Sequence, residues 1–497
     1  MVAQTLRFKR VARNASDPAD RSVFLLSDDS WDDYGSQISF GLTYVDEVGG
    51  QTSIGTLKIL QRRSTGGEPL STVHRPALDP TFSSLGPDCI SLGQSEEYYL
   101  NLRSLGEDFA VQVVEALRDV AWQPALATPF ETAGPFRNGL LRSNSAKRAH
   151  HLGRHCIREG KPNDDPSFEY EFLIQGAEGV TQVEVKFAEQ SAVPGRVAGI
   201  IGRNAVGKTQ FMAQLASDLA QTGRISPERL ADLKERFGGR IPLFNRVLAI
   251  SYSSFDRFRR PPASDQSSYI YCGVRDDNGR LSAKALADSY LANLRRVKEL
   301  GRHYEWREHI DSILGEAAAD VPLAPSAVDG KDNSDGIFDG LSSGQATLCH
   351  LVTGLLAWVQ PHTVVLFDEP ETHLHPNAVA NLFIVFSAIL RQYESVAIIA
   401  THSPVVIQEI PRAHVVHFKR EGNFTTAESL GLESFGESIT ELTRHVFETV
   451  EVETLYKTTL ARLARTRTLQ EVLDLFPEGL SLNAQAYLLA RYKLDQQ

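Results

Sequence analysis

The octapeptide GRNAVGKT, Gly202 to Thr209, constrains the fold of this chain more than any other stretch. It matches the pattern G-x-x-x-x-G-K-[S/T] in full and joins the apolar run GRVAGIIG to the helix-forming run KTQFMAQLASDLAQ. Backbone amides at such a helix N-terminus favour phosphate, Lys208 can reach the β and γ oxygens, and Thr209 can hold Mg²⁺. The sequence therefore predicts an α/β core that binds a nucleotide through Gly202, Asn204, Gly207, Lys208 and Thr209.

Three further apolar runs, RVLAISYS, HTVVLFDEP and SVAIIATHSP, predict buried parallel strands with helices between them. The second run ends in Asp368, which suits the Mg²⁺ shell, and Glu369, which suits polarisation of the attacking water. The third run ends in His402, which could contact the γ-phosphate and respond to its loss. One carboxylate or one histidine at a strand exit is commonly structural, so these assignments depend on their following a phosphate loop.

The stretch LSSGQ, Leu341 to Gln345, places small and polar residues directly before an apolar run. Serines in this position can simply cap a helix. The order GRNAVGKT, LSSGQ, VVLFDEP, THS, however, resembles the ATP-binding-cassette (ABC) ATPases, in which an LSGGQ-type signature of one subunit closes over the nucleotide bound by the other. The resemblance implies that the chain binds ATP and Mg²⁺ and hydrolyses ATP. It also implies a homodimer, or a higher assembly, with composite ATP sites.

In such a dimer, Ser342, Ser343, Gly344 and Gln345 would form a second anion site. The N-terminus of the helix that we expect to begin near Gln345 would favour phosphate and would be directed away from the chain's own phosphate loop.

The motif DEPETHLHP, which begins at Asp368, narrows the resemblance. It is similar to the DEPExxLHP form of soluble ABC ATPases related to the OLD-family and Septu-type anti-phage defence ATPases, and more distantly to RecF-like and SMC-like repair proteins. The resemblance covers residues 165–420. OLD nucleases also carry a TOPRIM domain, whereas the roughly 80 residues after Pro411 look mostly helical and too few for one. We therefore expect no nuclease activity in this chain.

The chain departs from the family's pattern in two further places. Ala205 replaces the glycine usual in the middle of the phosphate loop, which is tolerable if the backbone there has a negative φ. No glutamine occupies the expected Q-loop, where SYSSFDRF stands instead. Ser253, Ser254 or Asp256 could take its metal or water contact.

The chain of 497 residues is long enough for several domains. We expect an N-terminal α+β accessory domain at 1–125, with antiparallel strands and then a helix that is capped by Ser95 and interrupted at Gly106. A basic linker or docking segment follows at 126–165. The ATPase domain is expected at 166–420, as a mainly parallel sheet with an antiparallel subdomain and a helical lobe at 277–340. A helical C-terminal extension occupies 421–497.

Residues 137–161 carry seven Lys or Arg against a single Glu, although the whole chain has a net charge of −11. This segment could contact DNA phosphates or an acidic partner, or it could be an ordinary solvated helix. His151 and His155 lie one helical turn apart, which also raises a metal-binding alternative.

Cysteines are few and scattered, and no apolar run approaches the roughly 20 residues that span a bilayer. We therefore expect a cytoplasmic protein without a membrane partner.

The leading hypothesis for the function is an ATP-driven sensor or regulatory subunit of an anti-phage defence system. ATP would close the dimer, and the N-terminal domain would pass the change to a separately encoded effector. The first alternative is a DNA-repair or DNA-maintenance ATPase of the RecF-like or SMC-like kind. The second is a clamp that hydrolyses ATP very slowly.

Overall fold

The structure of the chain is a computed structural model. It describes residues 6–12, 19–28, 37–62, 75–131, 133–162, 165–220, 227–253, 257–260, 267–273, 283–315, 337–338, 340–372, 374–447 and 455–494. Within these ranges, no helix combines the length and the apolar character that a bilayer crossing requires. The chain divides into two compact units, Met1–Glu437 and Ser438–Gln497.

The first unit begins with a six-stranded sheet. Its strands are β1 (Phe8–Val11), β2 (Val23–Asp28), β3 (Ser39–Val45), β4 (Gln51–Gln61), β5 (Thr81–Phe82) and β6 (Cys89–Gly93). They lie in the order β5-β1-β2-β3-β4-β6, and each neighbouring pair is antiparallel except β1 with β2. The antiparallel strands predicted for this domain are present, since β3 pairs with β4 in that way.

In the part of the domain that the structure describes, this sheet is covered by the helices α1 (Glu96–Ser104), α2 (Glu107–Ala116) and α3 (Asn144–Arg158). Ser95 caps α1 as predicted, because its hydroxyl accepts a hydrogen bond from the Tyr98 N–H. Gly106, at φ +121°, separates α1 from α2, so the predicted break is also confirmed. A 3-10 turn, Pro124–Ala127, and a π-helical turn, Phe136–Leu140, precede α3.

The segment predicted as a basic linker is therefore largely helical. Small and apolar side chains on one face of α3 join the same hydrophobic core as the sheet, among them Ala146, Ala149, Cys156 and Ile157. The basic side chains that the sequence emphasises belong partly to this packed face.

The rest of the first unit is built on a second sheet, with seven strands. They are β9 (Val197–Gly202), β10 (Arg246–Ser251), β11 (Tyr269–Gly273), β12 (Thr363–Asp368), β13 (Val396–Thr401), β14 (Val415–Glu421) and β15 (Phe424–Ser429). Their order is β11-β10-β12-β13-β9-β14-β15, and every pair is parallel except β14 with β15. A separate antiparallel pair is formed by β7 (Phe168–Phe172) and β8 (Thr181–Val185).

All residues of β9, β10, β12 and β13 are buried. Burial on both faces explains why these strands appear in the sequence as continuous apolar runs rather than as alternating ones. The predicted mainly parallel α/β core with an antiparallel subdomain is confirmed. The sheet continues through β15, beyond the boundary predicted at residue 420.

Within the described ranges, seven helices accompany the second sheet. They are α4 (Lys208–Ala220), α5 (Pro227–Arg236), α6 (Ala283–Glu299), α7 (His303–Leu314), α8 (Ser343–Trp358), α9 (Pro376–Gln392) and α10 (Pro404–Ile407), with a 3-10 turn at Arg412–His414. The described part of the predicted helical lobe is formed by α6 and α7.

The second compact unit contains α11 (Ile439–Phe447), α12 (Leu455–Ala464), α13 (Leu469–Leu473) and α14 (Leu482–Leu494). The helical C-terminal part thus begins near residue 439, later than the predicted position at 421. Leu460, Val472 and Leu488 are among the residues of its own small core.

The two sheets of the first unit are joined at the amino ends of the parallel strands. The Asn144 N–H donates to the hydroxyl of Ser268, just before β11, at 3.0 Å. The Asn144 side-chain amide donates to the carbonyl of Leu219, near the end of α4, at 3.0 Å. Arg148 donates to the carbonyl of Leu243, just before β10, at 2.8 Å. The N-terminal sheet with its helices is therefore attached at the amino edge of the second sheet.

Candidate functional site

The predicted site residues meet at the opposite edge, where the parallel strands end. β13 lies between β12 and β9, and its register pairs Ala400 with Asp368 and Thr401 with Ile201. Because the carboxyl ends of parallel strands share one edge of a sheet, the turns after these three strands lie side by side. The sheet order thus brings together the three motifs GRNAVGKT, DEPE and THS.

The phosphate loop connects β9 to α4 and depends on two glycines. A Cβ at Gly202 would come within 2.4 Å of the Phe418 carbonyl oxygen, and a Cβ at Gly207 would come within 2.5 Å of Ile174 Cδ1. Gly207 also has φ +102°, a conformation that side chains rarely adopt. Neither position accepts a side chain without moving its neighbours, whereas Asn204 is exposed.

Lys208 begins α4 and is 6 % exposed. Its ammonium donates to the carbonyl oxygens of Gly202 at 2.8 Å and Arg203 at 3.1 Å, so it folds back over its own loop. Burial lowers the pKa of Lys208, while nearby carboxylates, led by Glu369, oppose that shift. The cation is thus held inside the phosphate loop.

Ala205 contradicts the expectation of a negative φ, because its φ is +66°. An L-residue in this left-handed region brings its Cβ close to the following carbonyl oxygen, which costs roughly 1–2 kcal/mol. The loop is held in this shape from β14 and β15. Arg420 donates to the Ala205 carbonyl at 3.2 Å, and the Thr425 hydroxyl donates to the Val206 carbonyl at 3.5 Å.

Thr209 and Asp368 lie next to each other, since the Thr209 hydroxyl donates to Asp368 Oδ2 at 3.0 Å. Asp368 ends β12 and is fully buried. A hydroxyl and a carboxylate are oxygen ligands of the kind that Mg²⁺ prefers, so the pair fits the predicted metal role. When bound, Mg²⁺ would neutralise charge on the β- and γ-phosphates.

Glu369 and His402 are in contact, with 3.3 Å between Glu369 Oε1 and His402 Nδ1. Glu369 has φ +52°, in the left-handed region, and its N–H donates to the Ala400 carbonyl at 2.8 Å. The strained backbone is therefore fixed by the neighbouring strand. With 27 % of its side chain exposed, the Glu369 carboxylate is accessible to water.

Glu371 belongs to the same cluster, although the sequence analysis did not select it. Its Oε1 accepts from the Thr401 hydroxyl at 2.6 Å and from the His402 N–H at 3.1 Å, and lies 3.3 Å from His402 Nδ1. The only signal in the sequence was a second carboxylate two residues after Glu369. Its role depends on a contact with a strand about thirty residues away.

The signature stretch starts α8 at Ser343, two residues earlier than expected. The Ser342 hydroxyl accepts from the Gln345 N–H at 3.3 Å, and the Gln345 side chain accepts from the Ser342 N–H at 2.8 Å. This reciprocal capping box occupies both side chains. Ser343 is exposed and Gly344 is partly exposed beside the helix N-terminus.

The signature lies at the same edge as the phosphate loop but not next to it. The Tyr252 hydroxyl, just after β10, donates to the Thr347 carbonyl in the first turn of α8 at 3.4 Å. The start of α8 is thus close to the end of β10. Since β10 is three strand positions from β9, about 14 Å separates the two strands that carry these elements.

Buried side chains linked by hydrogen bonds lie at the expected Q-loop position. His350 of α8 is fully buried, with Nδ1 at 2.8 Å from the Tyr252 hydroxyl and Nε2 at 3.2 Å from the Ser289 hydroxyl. Burial lowers the pKa of His350 to about 4, so it is neutral at pH 7. The Ser253 N–H donates to the Ser251 hydroxyl at 3.2 Å, while Ser254 and Asp256 lie outside the described residues.

The basic segment is only partly available to a partner. Arg148 is 3 % exposed and is paired with the buried carboxylate of Glu96, so it cannot contact DNA without breaking that pair. Arg154 and Arg158 are exposed, and both lie over the Trp122 ring. Among the described ranges, no group of three or more His, Cys, Asp or Glu side chains could hold a metal ion.

The fold and the site together support a P-loop ATPase of the ABC/AAA type. In agreement, residues 284–408 match the family described as "AAA domain, putative AbiEii toxin, Type IV TA system". The chain is also 26 % identical over 487 residues to Protein ea59 of Escherichia phage lambda, with 89 % of each chain covered.

Solved structures of ABC proteins resemble the chain more distantly. The SmcHead bound to the C-winged helix domain of ScpA matches with a TM-score of 0.30 at 13 % identity, over 54 % of this chain and 98 % of that one. A putative metal-chelate type ABC transporter matches with a TM-score of 0.31 at 13 % identity, over 57 % and 90 %. A nucleotide-free ATP-binding cassette matches with a TM-score of 0.29 at 14 % identity, over 58 % and 98 %. The narrower grouping with OLD-family and Septu-type ATPases stays a prediction.

Proposed function

We propose that this chain binds and hydrolyses ATP between two copies of itself. The observation that carries the proposal is the convergence, at one sheet edge, of a buried lysine, a hydroxyl-carboxylate pair and a partly exposed glutamate that contacts a histidine. Each of these groups matches a requirement of phosphoryl transfer, which needs charge neutralisation, a held cation and an oriented water.

The proposed roles follow from position and exposure. Lys208 neutralises the β- and γ-phosphates from inside the loop, and Thr209 with Asp368 holds Mg²⁺. Glu369, the more accessible of the two carboxylates, orients and polarises the attacking water, while His402 contacts the γ-phosphate. Asp368 is less suited to the water, because it is fully buried and already accepts the Thr209 hydroxyl.

The distance between the signature and the phosphate loop supports the dimer. Ser343 and Gly344 offer amides at a helix N-terminus, which favours anions, yet α8 begins beside β10 rather than beside β9. A second copy related by a two-fold axis can bring its signature over the phosphate loop of the first. Because a two-fold contact repeats itself, such a dimer holds two equivalent ATP sites.

The first experiment measures steady-state ATP hydrolysis and mass in solution. We expect wild-type chain to hydrolyse ATP and Lys208→Ala to lose both binding and hydrolysis. Glu369→Gln should bind ATP, hydrolyse it at least 100-fold more slowly and accumulate as a dimer. The matched control is Glu428→Gln, which changes an exposed glutamate of β15. A Glu369→Gln chain that hydrolyses ATP at the wild-type rate would contradict the assignment.

The composite site has its own test. Ser343→Arg places a long cation on the exposed first residue of α8, so it should block dimer closure while leaving ATP binding by the monomer intact. Light scattering and nucleotide binding measure the two properties separately. Robust hydrolysis by a monomeric Ser343→Arg chain would exclude a shared site.

The cellular role that we propose is regulatory, namely control of a separately encoded effector in anti-phage defence. The DEPETHLHP motif and the matched family's description, which names a putative toxin of a TA system, support a role of this kind. Plaque assays on cells that express the chain with its neighbouring genes test this role. Protection that disappears in Glu369→Gln would support it, and an unchanged plaque count in the wild type would oppose it.

A DNA-maintenance ATPase is the second candidate, favoured by the exposed cations of α3. Arg154 and Arg158 lie one helical turn apart on its surface and could contact successive phosphates. Arg154→Glu with Arg158→Glu should then weaken binding of duplex DNA strongly and reduce its salt dependence. Arg148 is unsuitable for this test because its loss would disturb the fold. Unchanged DNA affinity would remove this candidate's support.

A further inference from the structure

Glu371 joins two turns of the site that come from neighbouring strands. It follows β12 by three residues, and its Oε1 accepts hydrogen bonds from the Thr401 hydroxyl at 2.6 Å and the His402 N–H at 3.1 Å. Only 12 % of its side chain is exposed. The carboxylate therefore fixes the backbone that carries His402 relative to the turn that carries Glu369.

Glu371 also faces the imidazole ring of His402. The ring Nδ1 lies 3.3 Å from Glu371 Oε1 and 3.3 Å from Glu369 Oε1. Nδ1 itself is shielded from solvent, although 43 % of the His402 side chain is exposed. Neither contact has the geometry of a hydrogen bond, but carboxylate oxygens are acceptors, so two of them beside Nδ1 favour the tautomer with its proton on that atom.

We propose that Glu371 is a positioning residue for ATP hydrolysis, which acts by holding His402 in one tautomer and one orientation towards the terminal phosphate. The inference rests on the proposed function. It adds a third member to the pair Glu369 and His402. Glu371 and Glu369 both face Nδ1 at 3.3 Å, so two carboxylates rather than one orient the ring.

The charge of Glu371 can be separated from its hydrogen bonds. Glu371→Gln keeps an oxygen that can accept from Thr401 and from the His402 N–H, but it removes the negative charge that faces Nδ1. Thr401→Val does the reverse, because it keeps the carboxylate and removes the hydroxyl that donates to Glu371 and accepts from the Ser403 N–H. A merely structural bridge would be more sensitive to Thr401→Val, and a positioning residue more sensitive to Glu371→Gln.

The test is a double-mutant cycle in steady-state hydrolysis, with wild type, Glu371→Gln, His402→Ala and the combined variant. We expect Glu371→Gln to lower kcat about tenfold or more and to change KM for ATP less than about twofold. If Glu371 acts through His402, the combined variant should be no slower than His402→Ala alone. Glu428→Gln is the control that removes one exposed negative charge outside the site, on strand β15.

Three results would overturn the inference. The first is a kcat of Glu371→Gln close to that of the wild type, and the second is additive losses in the combined variant. The third is a greater loss in Thr401→Val than in Glu371→Gln. If Glu371→Gln does not fold, a loss of kcat of about tenfold or more in Thr401→Val takes its place as the contradicting result. A wild-type chain without ATP hydrolysis would instead overturn the proposed function, and the inference with it. The wild-type measurement therefore distinguishes the two failures.

Discussion

Ala205 holds a left-handed conformation in the phosphate loop that glycine would adopt without strain. Its carbonyl is bound by Arg420, so the neighbouring strand maintains this shape. Glu369 is a second residue with positive φ at the same edge. Backbone strain at these two positions is consistent with a site whose geometry is fixed by the surrounding sheet.

Replacement of Ala205 by glycine should stabilise the folded chain. The variant removes the Cβ clash in the native state, worth roughly 1 kcal/mol, although it also adds freedom to the unfolded chain. We expect a thermal midpoint equal to or slightly above that of the wild type, with ATP binding retained. Ala125→Gly, in the 3-10 turn before α3, is the control and should lower the midpoint. A clear loss of stability in Ala205→Gly would show that the residue is unstrained.

A buried carboxylate in the N-terminal sheet should make stability depend on pH. Asp119 is 1 % exposed, and burial raises its pKa from 3.8 to about 6, although hydrogen bonds from Tyr99 and three backbone N–H groups oppose the shift. The folded state therefore binds a proton more tightly than the unfolded state. Its contribution to stability is fully present below pH 4 and is lost as the pH rises through 6.

This contribution can be isolated by comparison with Asp119→Asn, which does not titrate. Between pH 4 and pH 7, the wild type should lose roughly 3 kcal/mol relative to the variant, as expected from a shift of about two pKa units. Urea unfolding of both chains across this range measures the difference. A constant difference between the two chains would mean that Asp119 has an ordinary pKa.

At the scale of elements, α8 shows how one motif serves the fold and the proposed site together. Ser342 and Gln345 satisfy each other in the capping box, while Ser343 and Gly344 present the helix N-terminus. The structural and the functional interpretations of LSSGQ thus apply to different residues of the same stretch. The sequence alone could not assign each interpretation to its residues, because both interpretations require serine before a helix.

Ser342→Ala should destabilise the chain by about 1 kcal/mol, because it removes the side-chain acceptor of the Gln345 N–H. Ser343→Ala is the matched control, since that serine is exposed and is not part of the cap. Thermal unfolding of the two variants should therefore differ. Equal midpoints would indicate that the capping box contributes little to the stability of α8.

The predictability of each element followed from how local its signal is. The buried strands and the phosphate loop were predicted because each is encoded by one short, continuous stretch of sequence. β15 was missed since FTTAES is polar and mostly exposed. The packed face of α3 was missed because it consists of small residues between arginines, and the partner of Arg148 is 52 residues away.

The site residues divide in the same way, into those with a local sequence signal and those without one. Lys208, Thr209, Asp368 and Glu369 belong to contiguous motifs. Glu371, in contrast, gains its place from Thr401 and His402 on another strand, and the φ of Ala205 is set by β14. Such features depend on tertiary contacts, which a single sequence does not contain.

At the scale of the molecule, one buried ion pair links the two sheets of the first unit. Glu96 at the start of α1 and Arg148 of α3 are both nearly inaccessible, and Arg148 also binds the carbonyl before β10. His362, just before β12, lies 3.9 Å from the Glu96 carboxylate. The pair therefore belongs to the attachment of the N-terminal sheet.

Arg148→Met should destabilise the chain by about 3–5 kcal/mol, because it leaves the Glu96 charge buried without its principal partner. Combination with Glu96→Gln should recover part of this loss. Arg154→Met is the matched control on the exposed face of α3 and should have little effect on the urea midpoint. Equal midpoints for Arg148→Met and Arg154→Met would contradict the importance of the pair.

The attachment of the N-terminal sheet at the amino edge sets the stoichiometry of any effector that binds it. Each parallel strand of six residues is about 20 Å long, so this sheet lies about one strand length from the ATP edge. In the proposed dimer, which closes through the ATP edges, the two N-terminal sheets would face opposite outer sides, roughly 40 Å apart. A small effector could then touch only one of them, and each closed dimer should recruit two effector molecules independently.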